Sequence, residues 1–190
     1  MNQSYRKSLK SRAVLSGLAL ALAGSMAAIP TAAQAAGTAA ATVNASATVN
    51  SQCNVQTSTL TMAFGTVDVL AASGGVNAPA TLTVQCNKGA QVSVTANNGS
   101  NFSGGKRMKN SANTDMLAYS ILQPTGASFS TCPASISAGT ELTSTALDVK
   151  SLWASGGGPK NITLCGRLEG PQADASPGSY SDTVTVTVTY

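Results

Sequence analysis

The sequence predicts an all-β sandwich, and three observations carry that prediction. Beyond its first 35 residues the chain is rich in Thr, Ser, Val, Gly and Asn and poor in Lys, Glu and Leu, the residues that build amphipathic helices. Its apolar side chains recur at every second position in several short runs, the period of a strand with one buried face. Gly, Asn and Pro punctuate those runs, and no segment after residue 36 keeps a helical period.

The first element lies outside the fold. Arg6, Lys7, Lys10 and Arg12 form a basic head that runs into AVLSGLALALAG and then TAAQAA. This is the three-part plan of a secretory signal peptide, with cleavage expected after Ala33-Gln34-Ala35. The apolar run is too short, and too soon followed by small and polar residues, for a membrane span. The expected organisation is a signal peptide over 1–35, an N-terminal extension over 36–47 and a β-sandwich domain over 48–190. Four of the eleven Lys and Arg leave with the head, so the remainder carries seven cations against seven Asp and Glu. The net charge of +4 thus belongs to the export segment and gives no ground for nucleic acid as a partner. The remaining chain is long enough for one domain with its own core.

Within that remainder, TAAATVNASATVN (38–50) sets Ala39, Ala41, Val43, Ala45, Ala47 and Val49 on alternate positions, with no turn to fold it back as a hairpin. In SQCNVQTSTLTMAFGTV, Leu60, Met62 and Phe64 alternate up to Gly65. ATLTVQCNKG aligns Leu82, Val84 and Cys86, and AQVSVTANNGS aligns Val92, Val94 and Ala96. With CNKG as turn chemistry between them, residues 80–97 read as a β-hairpin. MLAYSILQ restores alternation through Leu117, Tyr119 and Ile121. Residues 124–160 are weakly patterned: ISAGTELTSTALDV offers one or two short strands, and glycines 156–158 mark a flexible connection. NITLCGRL, the turn-rich EGPQADASPGSYSD and TVTVTVTY close the chain, the last with Val184, Val186 and Val188 on one face and threonines on the other. Short strands and frequent turns in this order specify a Greek-key sandwich of the immunoglobulin-like kind. The last strand is the most regular, and nothing after Tyr190 covers its outer edge.

Cys53, Cys86, Cys132 and Cys165 are expected to pair in an oxidising compartment. Three connectivities are open; Cys53 with Cys86 and Cys132 with Cys165 are favoured because sequence neighbours in a β-meander are usually spatial neighbours. Each bridge closes a loop of about 30 residues, worth roughly 3–4 kcal/mol in the chain-entropy picture. There is no CxxC spacing and no histidine, hence no zinc motif and no Ser-His or Cys-His pair, and the carboxylates are scattered. The reading is a non-enzyme with no catalytic residue, metal or cofactor. Lys106, Arg107 and Lys109 read as a solvated loop, and Trp153 as a packing anchor rather than a ligand platform.

Taken together, ATVNSQCNV, LTMAFGTV, ATLTVQCNKG, KRMKN, LAYSI and CGRLEGPQADASPGSYSDTVTVTVTY resemble the spore coat protein U domain family, which includes subunits of archaic, Csu-type chaperone-usher pili. The resemblance spans the exported chain except 124–160, and GSYSDTVTVTVTY is its most specific element. Cys132 and Cys165 depart from the family pattern. The resemblance implies an incomplete immunoglobulin-like sandwich that lacks its final strand. A periplasmic chaperone lends a strand, and an outer-membrane usher exchanges it for the extension of the next pilin subunit. Carried onto this sequence, the donor strand is Ala39, Ala41, Val43, Ala45 and Ala47, and the acceptor groove edge is Val184, Val186, Val188 and Tyr190. The implied function is a structural pilus subunit that passes through the periplasm to a cell-surface pilus supporting adhesion and biofilm formation. The alternative is a secreted coat protein or a tip adhesin binding a surface or carbohydrate. A tip adhesin would carry a second, ligand-binding domain, for which this chain has no room.

Overall fold

Alternation in the sequence becomes alternation in burial. In a computed structural model that describes residues 37–70, 75–168 and 170–190, Ala78, Ala80, Leu82, Val84 and Cys86 of one long strand are buried, while Asn77, Pro79, Thr81 and Gln85 between them are exposed. That strand is β2 (Val76–Cys86), preceded by the short β1 (Cys53–Val55). There follow β3 (Ser93–Ala96), β4 (Lys106–Asn110), β5 (Met116–Leu122), β6 (Leu147–Asp148), β7 (Gly158–Leu168), β8 (Tyr180–Ser181) and β9 (Val186–Thr189). Among the described residues the sole helical segment is a 3-10 turn over Lys150–Trp153. The signal-peptide segment 1–35 lies outside the described residues.

The strands form two antiparallel sheets, one ordered β1-β2-β7-β5-β4-β8 and the other β6-β3-β9. The backbone of the larger sheet is the pairing of β2 with β7, in register from Val76 opposite Leu168 to Cys86 opposite Gly158. Between the sheets lies one core: Leu82, Val84, Tyr119, Ile121, Ile162 and Leu164 from the larger sheet meet Val94, Ala96 and Leu147 from the smaller. Trp153 is fully buried in that core, and its Nε1 donates to the Gly158 carbonyl at 2.9 Å. The fold is therefore an all-β, immunoglobulin-like sandwich, incomplete at the edge described below. The chain divides into a unit ending at Ser46 and a second unit, Ala47–Tyr190, that holds every named strand.

Three local expectations are corrected. Residues 80–97 do not form a hairpin: β2 and β3 lie in different sheets, β2 between β1 and β7, β3 between β6 and β9. The linking residues bond elsewhere, Gly89 N–H donating to the Trp153 carbonyl at 2.9 Å and Val149 N–H to the Val92 carbonyl at 3.0 Å. A sandwich buries the inner face of both sheets, so two successive alternating runs look alike whether they pair or cross over. KRMKN is strand β4 rather than a solvated loop, and Lys106 is 1% exposed. Its Nζ donates to Glu141 Oε1 at 2.9 Å and to the Leu142 carbonyl at 3.1 Å, the pairing that a buried ammonium requires. Glycines 156–158 do not form a loose connection either, because Gly158 begins β7 and a Cβ on Gly157 would crowd the backbone of Cys86 and Lys88.

Two disulfides staple the domain. Cys53 and Cys86 face each other across β1 and β2, with Cα atoms 4.1 Å apart. Cys132, in the loop after β5, is bonded to Cys165 in β7, with Cα atoms 5.5 Å apart.

Candidate strand-acceptor site

The site is assembled from two rows of apolar side chains laid on the same core. The first row is the closing run of the chain. Val184, Val186 and Val188 are half-buried while Thr183, Thr185, Thr187 and Thr189 between them are exposed, and the valines pack on the core formed between the sheets. Strand β9 runs antiparallel to β3, from Val186 opposite Ala96 to Thr189 opposite Ser93. The ladder continues below it, where Asn97 N–H donates to the Thr185 carbonyl at 3.0 Å and Ser100 N–H to the Thr183 carbonyl at 3.1 Å. Thr185 N–H returns a bond to Asn97 Oδ1 at 2.9 Å.

Those bonds fix which backbone groups are used. Successive residues of an extended chain point their N–H and C=O to opposite sides. Thr183 and Thr185 aim theirs at β3, so Val184, Val186 and Val188 aim theirs at the other edge. Among the described residues no strand pairs with that edge. A row of unpaired donors and acceptors above a floor of half-buried valines is a template for another strand.

The second row is the segment after β1. Leu60, Met62 and Phe64 are half-buried on alternate positions, with Thr61 and Ala63 exposed between them, and pack on the same core as the valines. The segment leaves β2 after Gln56 N–H bonds the Thr83 carbonyl at 2.9 Å and Thr57 Oγ1 accepts from Thr83 N–H at 3.1 Å. From residue 58 to residue 66 its backbone makes no hydrogen bond among the described residues. Among the described residues it is strand-patterned chain without a strand partner. Gly166 of β7 makes room for it, since a Cβ there would strike Met62 and the Ala78 carbonyl.

One tyrosine joins the two rows. The ring of Phe64 meets that of Tyr119 edge-on, with centroids 5.9 Å apart and planes at 67°. The Tyr119 hydroxyl donates to Asp182 Oδ2 at 2.8 Å, and Asp182 stands two residues before Val184. Asp182 Oδ1 also accepts from Ser100 N–H at 2.9 Å, Asn101 N–H at 3.2 Å and Asn101 Nδ2 at 3.0 Å. Burial pushes the Tyr119 phenol well above its ordinary pKa, and the hydrogen bond to Asp182 and the negative charges of Asp182 and Glu141 push the same way. The phenol is therefore held protonated as a donor.

The expected groove residues are thus distributed unevenly. Val184, Val186 and Val188 form the half-buried row, whereas Tyr190 is exposed beyond the end of β9. Ala39, Ala41, Val43 and Ala45 fall in the first unit and Ala47 at the start of the second; all are exposed and none lies in a strand. The sequence pattern marks Leu60, Met62 and Phe64, and also Tyr119, as alternating apolar positions without assigning them a role, and nothing in the pattern singles out Gly166 or Asp182. Among the described residues no cluster of three His, Cys, Asp or Glu side chains could hold a metal.

The sequence model of the Spore Coat Protein U domain matches residues 39–187. No curated protein matches the chain. Among solved structures, the chain is similar to one in the crystal structure of the CsuC-CsuE chaperone-tip adhesion subunit pre-assembly complex from archaic chaperone-usher Csu pili of Acinetobacter baumannii. The identity is 15% and the TM-score 0.45, over 75% of the present chain and 41% of that one.

Proposed function

The chain belongs to the Spore Coat Protein U domain family, and from that premise we propose that it is a structural pilus subunit polymerised by donor-strand exchange. The observation that carries the reading is the pair of unpartnered rows on one core. Val184, Val186 and Val188 leave backbone groups free on the outer edge of the smaller sheet, and the run 58–66, packed on the same core, leaves its own backbone unbonded among the described residues. A single extended segment laid between them would complete both ladders and cover both apolar rows, which is strand addition to an exposed edge. The occupant is the extension of another copy or of a related pilin. Ala39, Ala41, Val43, Ala45 and Ala47 supply a strand-patterned face of small side chains suited to a shallow floor.

In this reading a periplasmic chaperone covers the groove first and an outer-membrane usher directs the exchange. The subunit is exported by the signal segment, passes through the periplasm and ends in a surface pilus that supports adhesion and biofilm formation. The chemistry is assembly rather than catalysis, and it needs no cofactor. Deleting residues 36–47 tests the donor role. The truncated subunit is expected to co-purify with its chaperone and to be absent from sheared surface fibres. Truncated chains that polymerise like the parent would sink the reading.

A further inference from the structure

The junction between extension and domain is fastened more heavily than a three-residue edge strand needs. Asn87 holds the incoming chain at three points: its Nδ2 donates to the Asn50 carbonyl at 3.2 Å, its Oδ1 accepts from Gln52 N–H at 2.9 Å, and its own N–H donates to the Gln52 carbonyl at 3.2 Å. The next residue in the chain, Cys53, is covalently bonded to Cys86, the residue before Asn87. Every one of these contacts falls on Cys86 or Asn87, at the end of β2. Behind that point β2 is paired with β7 over its whole length.

We propose that this knot is a load anchor for the extension. The inference rests on the reading of the extension as the segment held by a neighbouring subunit. Tension on a fibre then enters each domain through residue 50. Without the knot, the pull would peel β1 from β2 one hydrogen bond at a time and go on to strip out residues 57–64, the second row of the acceptor site. Each such bond is worth only about 1 kcal/mol net. The disulfide at the first residue of β1 stops the peeling and carries the force into β2, and through it into the longest strand pair of the molecule. The acceptor site for one neighbour is thereby insulated from tension applied by the other. The Cys132–Cys165 bridge lies on another path, between the loop after β5 and β7, and serves as the internal control.

Single-molecule pulling of the full exported chain between its N-terminus and Tyr190 tests the anchor without requiring a fibre. In the parent and in the Cys132→Ser/Cys165→Ser variant, the first event at the N-terminal end is expected to be rupture of the whole domain, any release of β9 at the Tyr190 end being common to all the chains. In the Cys53→Ser/Cys86→Ser variant, an early low-force event should appear that lengthens the chain by about 5 nm, the extended length of residues 50–64. The main step should also grow as the 33-residue loop is released, the total gain being about 11 nm. Asn87→Ala, with the bridge intact, should show no early event. If the double serine variant does not fold, adding reductant to tethered Cys132→Ser/Cys165→Ser chains breaks the same bridge after folding. A chain without the bridge that ruptures in one event at the parent's force overturns the proposal. Polymerisation of the 36–47 deletion would instead overturn the donor reading, and an early event in the same pulling experiment would leave the anchor standing.

Discussion

At the scale of single residues, Tyr119 does two things that a phenylalanine could do only in part. Its ring supports Phe64 and its hydroxyl holds Asp182, so one side chain sets the spacing between the rows that would receive a strand. Tyr119→Phe keeps the ring contact and is expected to cost about 1.5–3 kcal/mol, the range for a hydrogen bond to a charged group. Chemical denaturation checks that value. The pH dependence has a definite sign. A phenol whose folded pKa is raised gives stability that is complete below the unfolded value of about 10 and declines as pH rises above it, because only the unfolded chain then loses the proton. The parent should lose stability more steeply than Tyr119→Phe between about pH 10 and 11, and equal slopes would show that the buried phenol carries no such linkage. Lys106 illustrates what residue-scale reading cannot see. Basic residues in a short polar run usually mark a solvated surface, and only the tertiary placement of Glu141 and the Leu142 carbonyl makes a buried ammonium acceptable.

At the scale of elements, alternation located β2, β5, β7 and β9 within a few residues but left their partners undetermined. The run from β2 to β3 shows why. Both strands bury one face in a common core, and the segment between them carries turn residues, with Gly89 at φ 81°. Those features suit a hairpin and a crossover equally well, and the choice is made by distant residues, Val149 and Trp153, that bond the connecting backbone. The segment 58–66 is obscure for the opposite reason, because its pattern is that of a strand and among the described residues it pairs with none. Its position depends on Gly166. Gly166→Ala would force Met62 off the core and crowd the Ala78 carbonyl, at an expected cost of about 1–3 kcal/mol. Since Met62 belongs to the second row, the variant should also be captured into fibres more slowly than the parent at a temperature where both are folded. Unchanged stability and capture would mean that β7 absorbs the methyl by a backbone shift.

At the scale of the molecule, the valine row could be read from the chain, whereas the proposed groove also needs the second row and Tyr119, which only the folded core brings together. The same geometry says where a covering strand can be attached. Thr189 stands opposite Ser93 at the end of β9, so a turn placed after Tyr190 would return a following segment along the free edge of β9 as an antiparallel hairpin. A copy of residues 36–50 fused there through a short turn should fill the site from within one chain. Val184, Val186 and Val188 present about six backbone groups to that edge, and about 0.5 kcal/mol net for each gives roughly 3 kcal/mol. In a domain of this size that corresponds to a rise in melting temperature of about 6–12 °C. The fused chain should stay monomeric on gel filtration, since its acceptor edge is occupied, and should no longer bind the chaperone. Replacing Val43 in the fused copy with Asp should abolish the gain, because a carboxylate would then face the apolar floor. If the fused and parent chains melt together and the added segment remains open to protease, the free edge of β9 is not a strand-acceptor site, whatever the family does elsewhere.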